Sequence, residues 1–354
     1  MSPFVIGYYA ALIAASCAAA YWKNRSVFML LFSLLLVSFI VGIVGGTGAL
    51  RFITICAGLI ALSAGISYAF KEFLVQISGP NLARELRTAP LTAAFGMFVI
   101  FTYAIAAIFA PWIAPHGEAE VIASAFAPPD ESMLLGADQL GRDIFSRIIY
   151  GARNSVGLAL AATTLAFVIG ALAGLFAAIK GGWFDQLSGR TADVIMSVPS
   201  LIFSLLMLSI FGTSLWVIVI VVAVIYSPRV YRLTRAVAGN IVVMDYIEAA
   251  KLRGEGDWYI VRKEVLPNST APLIAEFGLE FCFVFLLIAG LSFLGLGIQP
   301  PTADWGSMVR ENATLISFGD ITPLIPAAAI ALLTVSVNFV VDWMLFRSSG
   351  LKEQ

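Results

Sequence analysis

The sequence predicts an all-α protein that crosses a membrane several times. Three observations point to this class. Apolar residues make up 60% of the chain, charged residues only 12%, and the mean hydropathy is +0.93, so a soluble domain of this composition would expose too much apolar surface. The apolar residues fall into runs of about 20, the length that a helix needs to cross a bilayer. Short polar segments separate these runs, and residues 240–268 form a long, strongly charged one.

Several apolar runs are long enough to span a bilayer, and they fall into two groups. The last six runs form the second group, which we take as a six-helix core at residues 80–354. This core includes a polar segment between the fourth and fifth runs of the chain. The first three runs form an N-terminal extension at residues 1–79. The predicted spans are 4–22, 27–46, 52–70, 91–113, 155–179, 190–212, 214–235, 270–298 and 321–346.

The distribution of Lys and Arg predicts the orientation of these spans. If residues 240–268 lie in the cytoplasm and the nine spans alternate, sixteen Lys and Arg residues are cytoplasmic and five are external. This bias predicts an external N-terminus and a cytoplasmic C-terminus, whereas eight spans would place Met1 inside. The uncharged start Met1-Ser-Pro also disfavours a cleaved signal peptide.

The composition excludes several functions. The net charge of −1 and the lack of a basic arm argue against a nucleic-acid partner. His116 is the only histidine, so a histidine-based metal site or catalytic triad is not available. The dipeptide Gly-Lys never occurs, so the chain has no phosphate-binding loop of the Gly-x-x-x-x-Gly-Lys type. We therefore expect no enzymatic activity, cofactor or metal in this chain, and any ATP and Mg would be bound by a partner.

The charged segment reads as two short helices joined at a glycine. Asp245 is placed to cap the first helix with Glu248 three positions later, a spacing that resembles a capping box. Ala249 and Ala250 would keep one face of that helix thin, and Gly254 would end it. The second helix would carry Trp258, Val261 and Val265 on one face and end at Leu266-Pro267. We call residues 245–267 the knuckle.

The knuckle resembles the cytoplasmic coupling loop of permeases from ATP-driven (ABC) importers, on Glu248-Ala249-Ala250, Gly254 and Leu266-Pro267. The resemblance implies a six-helix core of the type I importer fold in a bacterial inner membrane. It also implies the partners: two ATPase subunits or domains that bind ATP and Mg, a second homologous permease and a periplasmic solute-binding protein. Membrane lipid would surround the chain. In that family the knuckle would receive the motion of an ATPase.

A second motif lies in the predicted external segment, at residues 134–155. Gly136 and Gly141 allow tight turns there, and Asp143 is placed to cap a helix. With Asp138 and Arg142, these residues resemble the signature of peptide- and nickel-type permeases, in which they would form a periplasmic lip that meets the binding protein. The alternative is an amphipathic helix with a purely structural role.

A third motif, residues 291–306, resembles the peptide-type signature after the fifth helix of the core. Pro300-Pro301 would end that helix, and Trp305 suits a membrane interface. The resemblance then covers about residues 80–350 and leaves the role of residues 1–79 open. It implies short peptides as the first candidate solutes, with nickel chelates, opines and glycosides as alternatives.

Two acidic residues fall inside an apolar span. Glu276 and Glu280 lie one helical turn apart, and carboxylates at membrane depth are rare without a function. They would either line the solute path or pair with a basic residue near the inner surface. They would also serve as proton sites if the chain were an ion-driven secondary transporter, which is the alternative function. A noncatalytic membrane scaffold is a third alternative.

Overall fold

The computed structural model describes residues 14, 33 and 48–348. Apart from two single positions, the predicted spans 4–22 and 27–46 therefore lie outside the described residues. Within the described part the chain is helical, and its β-structure is limited to two isolated bridges, Val121 with Arg142 and Ala137 with Asp143. The all-α prediction is confirmed.

The helices follow one another with mostly short connections. In chain order they are α1 (Gly48–Ile77), α2 (Pro80–Thr88), α3 (Leu91–Ile113), α4 (Ile144–Lys180), α5 (Gly182–Met196), α6 (Ser200–Phe211), α7 (Leu215–Val242), α8 (Asp245–Leu252), α9 (Asp257–Phe293), α10 (Trp305–Asn312) and α11 (Leu324–Ser348). A π-helical stretch, Ile260–Val265, lies inside α9, and a 3₁₀ turn, Ala313–Phe318, follows α10.

Six helices of the described part are long and apolar enough to cross a membrane, namely α1, α3, α4, α7, α9 and α11. The count rises to seven if α5 and α6 form one broken span. The predicted continuous span 190–212 is wrong, because α5 and α6 bend by 88° at residues 197–199. Pro199 explains the break, since proline has no amide N–H and disfavours helical geometry in the residue before it.

The described chain separates into two compact units that meet in sequence at Phe98 and Val99. In the first unit, the Lys71 ammonium on α1 donates hydrogen bonds to the carbonyls of Arg87 (3.1 Å) and Ala89 (2.5 Å). Those bonds tie α1 to the end of α2. The proposed boundary at residue 79 between an extension and a core stays a prediction.

In the second unit, α4 and α7 pack closely because small residues line α4. Ala159, Ala162 and Ala166 are fully buried at helical spacing. A methyl group on Gly174 would lie 2.8 Å from both the Thr234 Cβ and the Tyr231 carbonyl oxygen, so only glycine permits this approach. Buried side chains of α9 and α11 complete the core, so α4, α7, α9 and α11 pack in one cluster.

Candidate functional site

The first helix of the knuckle, α8, begins differently from the prediction. Met244 is the N-cap, with extended backbone and no side-chain cap, so the predicted cap by Asp245 is wrong. Asp245 is already inside the helix. Asp245 and Glu248 both lie in its first turn, where carboxylates interact favourably with the positive end of the helix dipole.

The two faces of α8 have opposite characters. Ile247 and Ala250 are fully buried, whereas Glu248 and Ala249 are exposed. The two alanines therefore lie on opposite faces of the helix: Ala250 is buried and Ala249 is on the surface. The exposed face carries both carboxylates of the first turn and the small Ala249, together with Tyr246, Lys251 and Leu252.

Gly254 ends α8 as predicted. Its φ is +79°, in the left-handed region that favours glycine. The amide of Gly254 donates to the Lys251 carbonyl (2.9 Å), and the amide of Glu255 donates to the Ala250 carbonyl (3.2 Å). These bonds satisfy carbonyls at the helix end, as a glycine-terminated helix requires.

The second helix of the knuckle does not end at Leu266-Pro267, and that prediction is wrong. The helix continues as α9 to Phe293. Pro267 stands in the first turn of the α-helical part, directly after the π-helical stretch Ile260–Val265. Proline is tolerated there because its amide would have no regular helical partner. Leu266 and Pro267 are both exposed.

The knuckle is anchored to the spanning helices through its buried residues. Ile260, Val261 and Val265 are at most 1% exposed and pack in one cluster with Leu175 of α4 and Ala238 of α7. The predicted shared face is therefore right for the two valines. Trp258, in contrast, is 57% exposed and stacks on Phe176, with ring centroids 6.1 Å apart and planes 13° apart. The knuckle is thus packed against both α4 and α7, and its second helix is the first part of α9.

The second motif, at residues 134–155 and here called the outer motif after its predicted position, contains a buried cluster of charges. The Arg142 guanidinium pairs with the Asp138 carboxylate (2.7 Å) and the Glu311 carboxylate (2.8 Å). Arg147 lies 3.4 Å and 3.5 Å from the same two carboxylates. All four side chains are at most 6% exposed. This cluster joins the outer motif to α10. In the Arg142–Glu311 pair, the two residues are 169 positions apart in the sequence.

The remaining residues of the outer motif shape the chain around this cluster. Gly136 and Gly141 have φ of +75° and +77°. A Cβ on Gly136 would lie 2.7 Å from the Ala127 carbonyl oxygen. Asp143 caps α4, as predicted, and accepts hydrogen bonds from the amides of Phe145 (3.2 Å) and Ser146 (3.0 Å). Both glycines and Asp143 are buried, so they form the frame of this surface.

The third motif is also buried. Trp305 is fully buried, so its predicted place at the membrane interface is wrong. Its indole N–H donates to the Ile148 carbonyl (3.0 Å). Asp304 caps α10 through the Ser307 amide (2.9 Å) and accepts from the Ser155 hydroxyl (2.7 Å). Burial raises the pKa of Asp304, and these hydrogen bonds oppose that rise.

A separate polar group lies where α7 meets α9. Glu280 is 3% exposed, and Glu276, one turn earlier, is partly buried. The cation near both carboxylates is Arg229 of α7. The sequence alone does not identify Arg229 as their partner, although a charged residue inside an apolar run is a signal of function. Its guanidinium lies over the rings of Tyr226 (5.5 Å) and Phe283 (5.1 Å). Such contacts contribute about 0.5–2 kcal/mol.

These features define a polytopic helical membrane protein with an anchored polar knuckle on one side and a buried charge cluster elsewhere. The family model described as "Binding-protein-dependent transport system inner membrane component" matches residues 167–348. The chain belongs to this family. It is a multi-pass inner-membrane permease of an ATP-driven importer, so the interpretation as an ion-driven secondary transporter is set aside.

Curated relatives agree with this assignment. The Escherichia coli protein named a probable D,D-dipeptide transport system permease is 31% identical over 75% of this chain and 90% of its own length. The dipeptide transport system permease of Alkalihalophilus pseudofirmus is 35% identical over 71% of this chain and 83% of its own. Among solved structures, the crystal structure of an amino acid ABC transporter with histidines matches 58% of this chain and 94% of its own with 24% identity and a TM-score of 0.40, too low to support a structural argument.

Proposed function

We propose that this chain is one of two homologous permease subunits through which short peptides pass from the periplasm to the cytoplasm. The observation that carries the proposal is the knuckle, which exposes Glu248 while Ile247 and Val261 fix it to the core. The names of the relatives, which refer to dipeptide transport, support peptides over nickel chelates, opines or glycosides as solutes.

In this proposal the chain converts the motion of an ATPase into a helix movement. Two partner ATPases bind ATP and Mg, and one of them grips the exposed face of α8. Because buried residues join the knuckle to α4, α7 and α9, closure of the ATPases would shift these helices as a packed group. The result is alternating access between an outward-open and an inward-open state.

The other two sites receive roles in the same proposal. A periplasmic solute-binding protein would dock on the outer side, where the buried cluster of Asp138 and Arg142 holds the shape of the lip without touching the partner. Glu276 and Glu280 would face the solute path. Carboxylates at this depth favour a function, because their exposure to hydrocarbon would cost roughly 2–3 kcal/mol each on insertion scales.

Purified complex in lipid vesicles tests the function directly. We expect radiolabelled alanyl-alanine to accumulate when the binding protein and ATP are both present, and to continue doing so after an ionophore collapses all ion gradients. A non-hydrolysable ATP analogue serves as the control and should give no uptake. Uptake that needs an ion gradient, or a complex that imports a nickel chelate but no peptide, would contradict the proposal.

We also propose nine spans, with α5 and α6 counted as one broken span, and with the N-terminus outside and the C-terminus in the cytoplasm. In a cysteine-free background, a membrane-impermeant maleimide should label cysteines placed at Ser2 and at Glu131 in intact spheroplasts, because both positions are external in this topology. A cysteine at Lys352 should react only after the membrane is opened. Protection of position 2 with labelling at position 131 would rule out nine spans and leave the core unaffected.

A further inference from the structure

A cation and two carboxylates on facing surfaces of α7 and α9 make no side-chain hydrogen bond or ion pair within 4.0 Å among the described residues. No carboxylate of the described part comes within 4.0 Å of the exposed Arg229 guanidinium, which rests on two aromatic rings. The Oε2 atom of Glu280 is buried without any hydrogen-bond partner. A buried carboxylate oxygen with no partner is costly, so its retention in an apolar helix calls for a ligand or a mobile partner.

These groups form one unit. Tyr226 and Arg229 are three residues apart on α7, and Glu276, Glu280 and Phe283 follow one another at four and three residues on α9, so each set shares a helix face. The Tyr226 hydroxyl donates to the Phe283 carbonyl (3.2 Å) and joins the two helices. Glu280 interacts electrostatically with both Arg229 and Glu276.

The chemistry of the unit fits a molecule with one positive and one negative end. The Arg229 guanidinium lies over two aromatic rings and makes no hydrogen bond to a carboxylate of the described part, so its N–H donors can take a carboxylate in a two-bond geometry. Glu276, partly exposed one turn from Glu280, is placed to accept from an ammonium group, and Glu280 beneath it deepens the negative potential. An unmodified short peptide carries both of these ends.

We propose that Arg229 binds the carboxyl end of the transported peptide and that Glu276, supported by Glu280, binds its amino end. The inference rests on the proposed function. It states that this permease recognises the two charged ends of an unmodified peptide. It makes Arg229, Glu276 and Glu280 determinants of specificity within the solute path, and it assigns Tyr226 and Phe283 the task of orienting the guanidinium.

The test measures peptide binding to the purified complex without its binding protein, because the binding protein would impose its own selectivity. The probes are alanyl-alanine, N-acetyl-alanyl-alanine and alanyl-alanine amide. The wild-type complex should bind either blocked form more weakly by roughly tenfold, about the effect of losing one charge-assisted hydrogen bond. Glu276→Gln should no longer distinguish the acetylated form, and Arg229→Gln should no longer distinguish the amide. Glu280→Gln should weaken binding of the free and amide forms together.

Arg232→Gln is the matched control, since Arg232 lies on the same helix, is exposed and pairs with Asp193. It should bind all three probes as the wild type does. Equal binding of the three probes to the wild type, no detectable binding, or unchanged selectivity in both Arg229→Gln and Glu276→Gln would overturn the inference. So would a loss of complex yield in Arg229→Gln with equal weakening for all probes, since Arg229 would then pair with the second permease. Vesicle uptake of alanyl-alanine by the wild type tests the proposed function separately, so the two failures are distinguishable.

Discussion

Replacing Arg142 with alanine should remove most of the folded protein. The Arg142 side chain is 2% exposed and pairs with Asp138 and Glu311, so its loss leaves two buried carboxylates to share Arg147, which lies 3.4 and 3.5 Å away. Breaking a buried ion pair by removing one partner costs about 3–5 kcal/mol. That is comparable to much of the total stability of a typical protein, about 5–15 kcal/mol. The measurements are the yield of monodisperse protein in detergent and its thermal unfolding temperature.

Two further variants make this prediction specific. Arg153→Ala removes an exposed cation from α4, the helix that follows Arg142, and should change neither the yield nor the unfolding temperature appreciably, because exposed charges contribute little. Arg142→Met combined with Glu311→Leu removes one cation and one anion together, leaves Asp138 with Arg147, and should recover part of the lost yield. If Arg142→Ala and Arg153→Ala behave alike, the buried cluster does not stabilise the outer segment.

The sequence predicts the helical class well because apolar length and composition suffice to identify spanning helices. It also predicts correctly that Gly254 ends a helix and that Gly136 and Gly141 allow tight turns. All three have positive φ, which glycine adopts without strain. It fails at the bend between α5 and α6. The segment is apolar throughout, and only Pro199 indicates that the helix is interrupted.

The sequence could not show which residues, far apart in the chain, contact each other in the fold. Asp138 and Arg142 stand out in the outer motif, but their partner Glu311 lies far along the chain in a stretch without any motif. Trp305 has the composition of an interface residue, and only the fold shows that Gly151 leaves room for its ring in the interior. The same holds for Arg229, whose contact with Phe283 depends on the packing of α7 against α9 and not on its neighbours in sequence.

Replacing Glu248 with arginine should separate ATP hydrolysis from transport while leaving the subunit inserted in the membrane. Glu248 is exposed in the first turn of α8, so the change removes no buried contact. Placing a cation at this helix end costs only about 0.3–1 kcal/mol, which is too little to unfold a helix anchored by Ile247 and Ala250. We therefore expect a normal yield of this chain and a large loss of ATP-driven peptide uptake, through lost ATPase binding or through ATPase activity without transport.

Asp257→Arg is the matched control for this prediction. Asp257 is also exposed and also lies in the first turn of a helix, so its reversal carries a similar penalty from the helix dipole, but it stands outside the Glu248-Ala249-Ala250 pattern. If the exposed face of α8 is what the ATPase grips, Glu248→Arg should reduce uptake by roughly tenfold or more, which exceeds what 0.3–1 kcal/mol at a helix end can produce. Asp257→Arg should stay within a few fold of the wild type, the range that such a penalty allows. Co-purification of the ATPase and its peptide-stimulated activity should follow the same order. Wild-type uptake in Glu248→Arg, or equal losses in both variants, would show that the exposed face of α8 does not receive the motion of the ATPase.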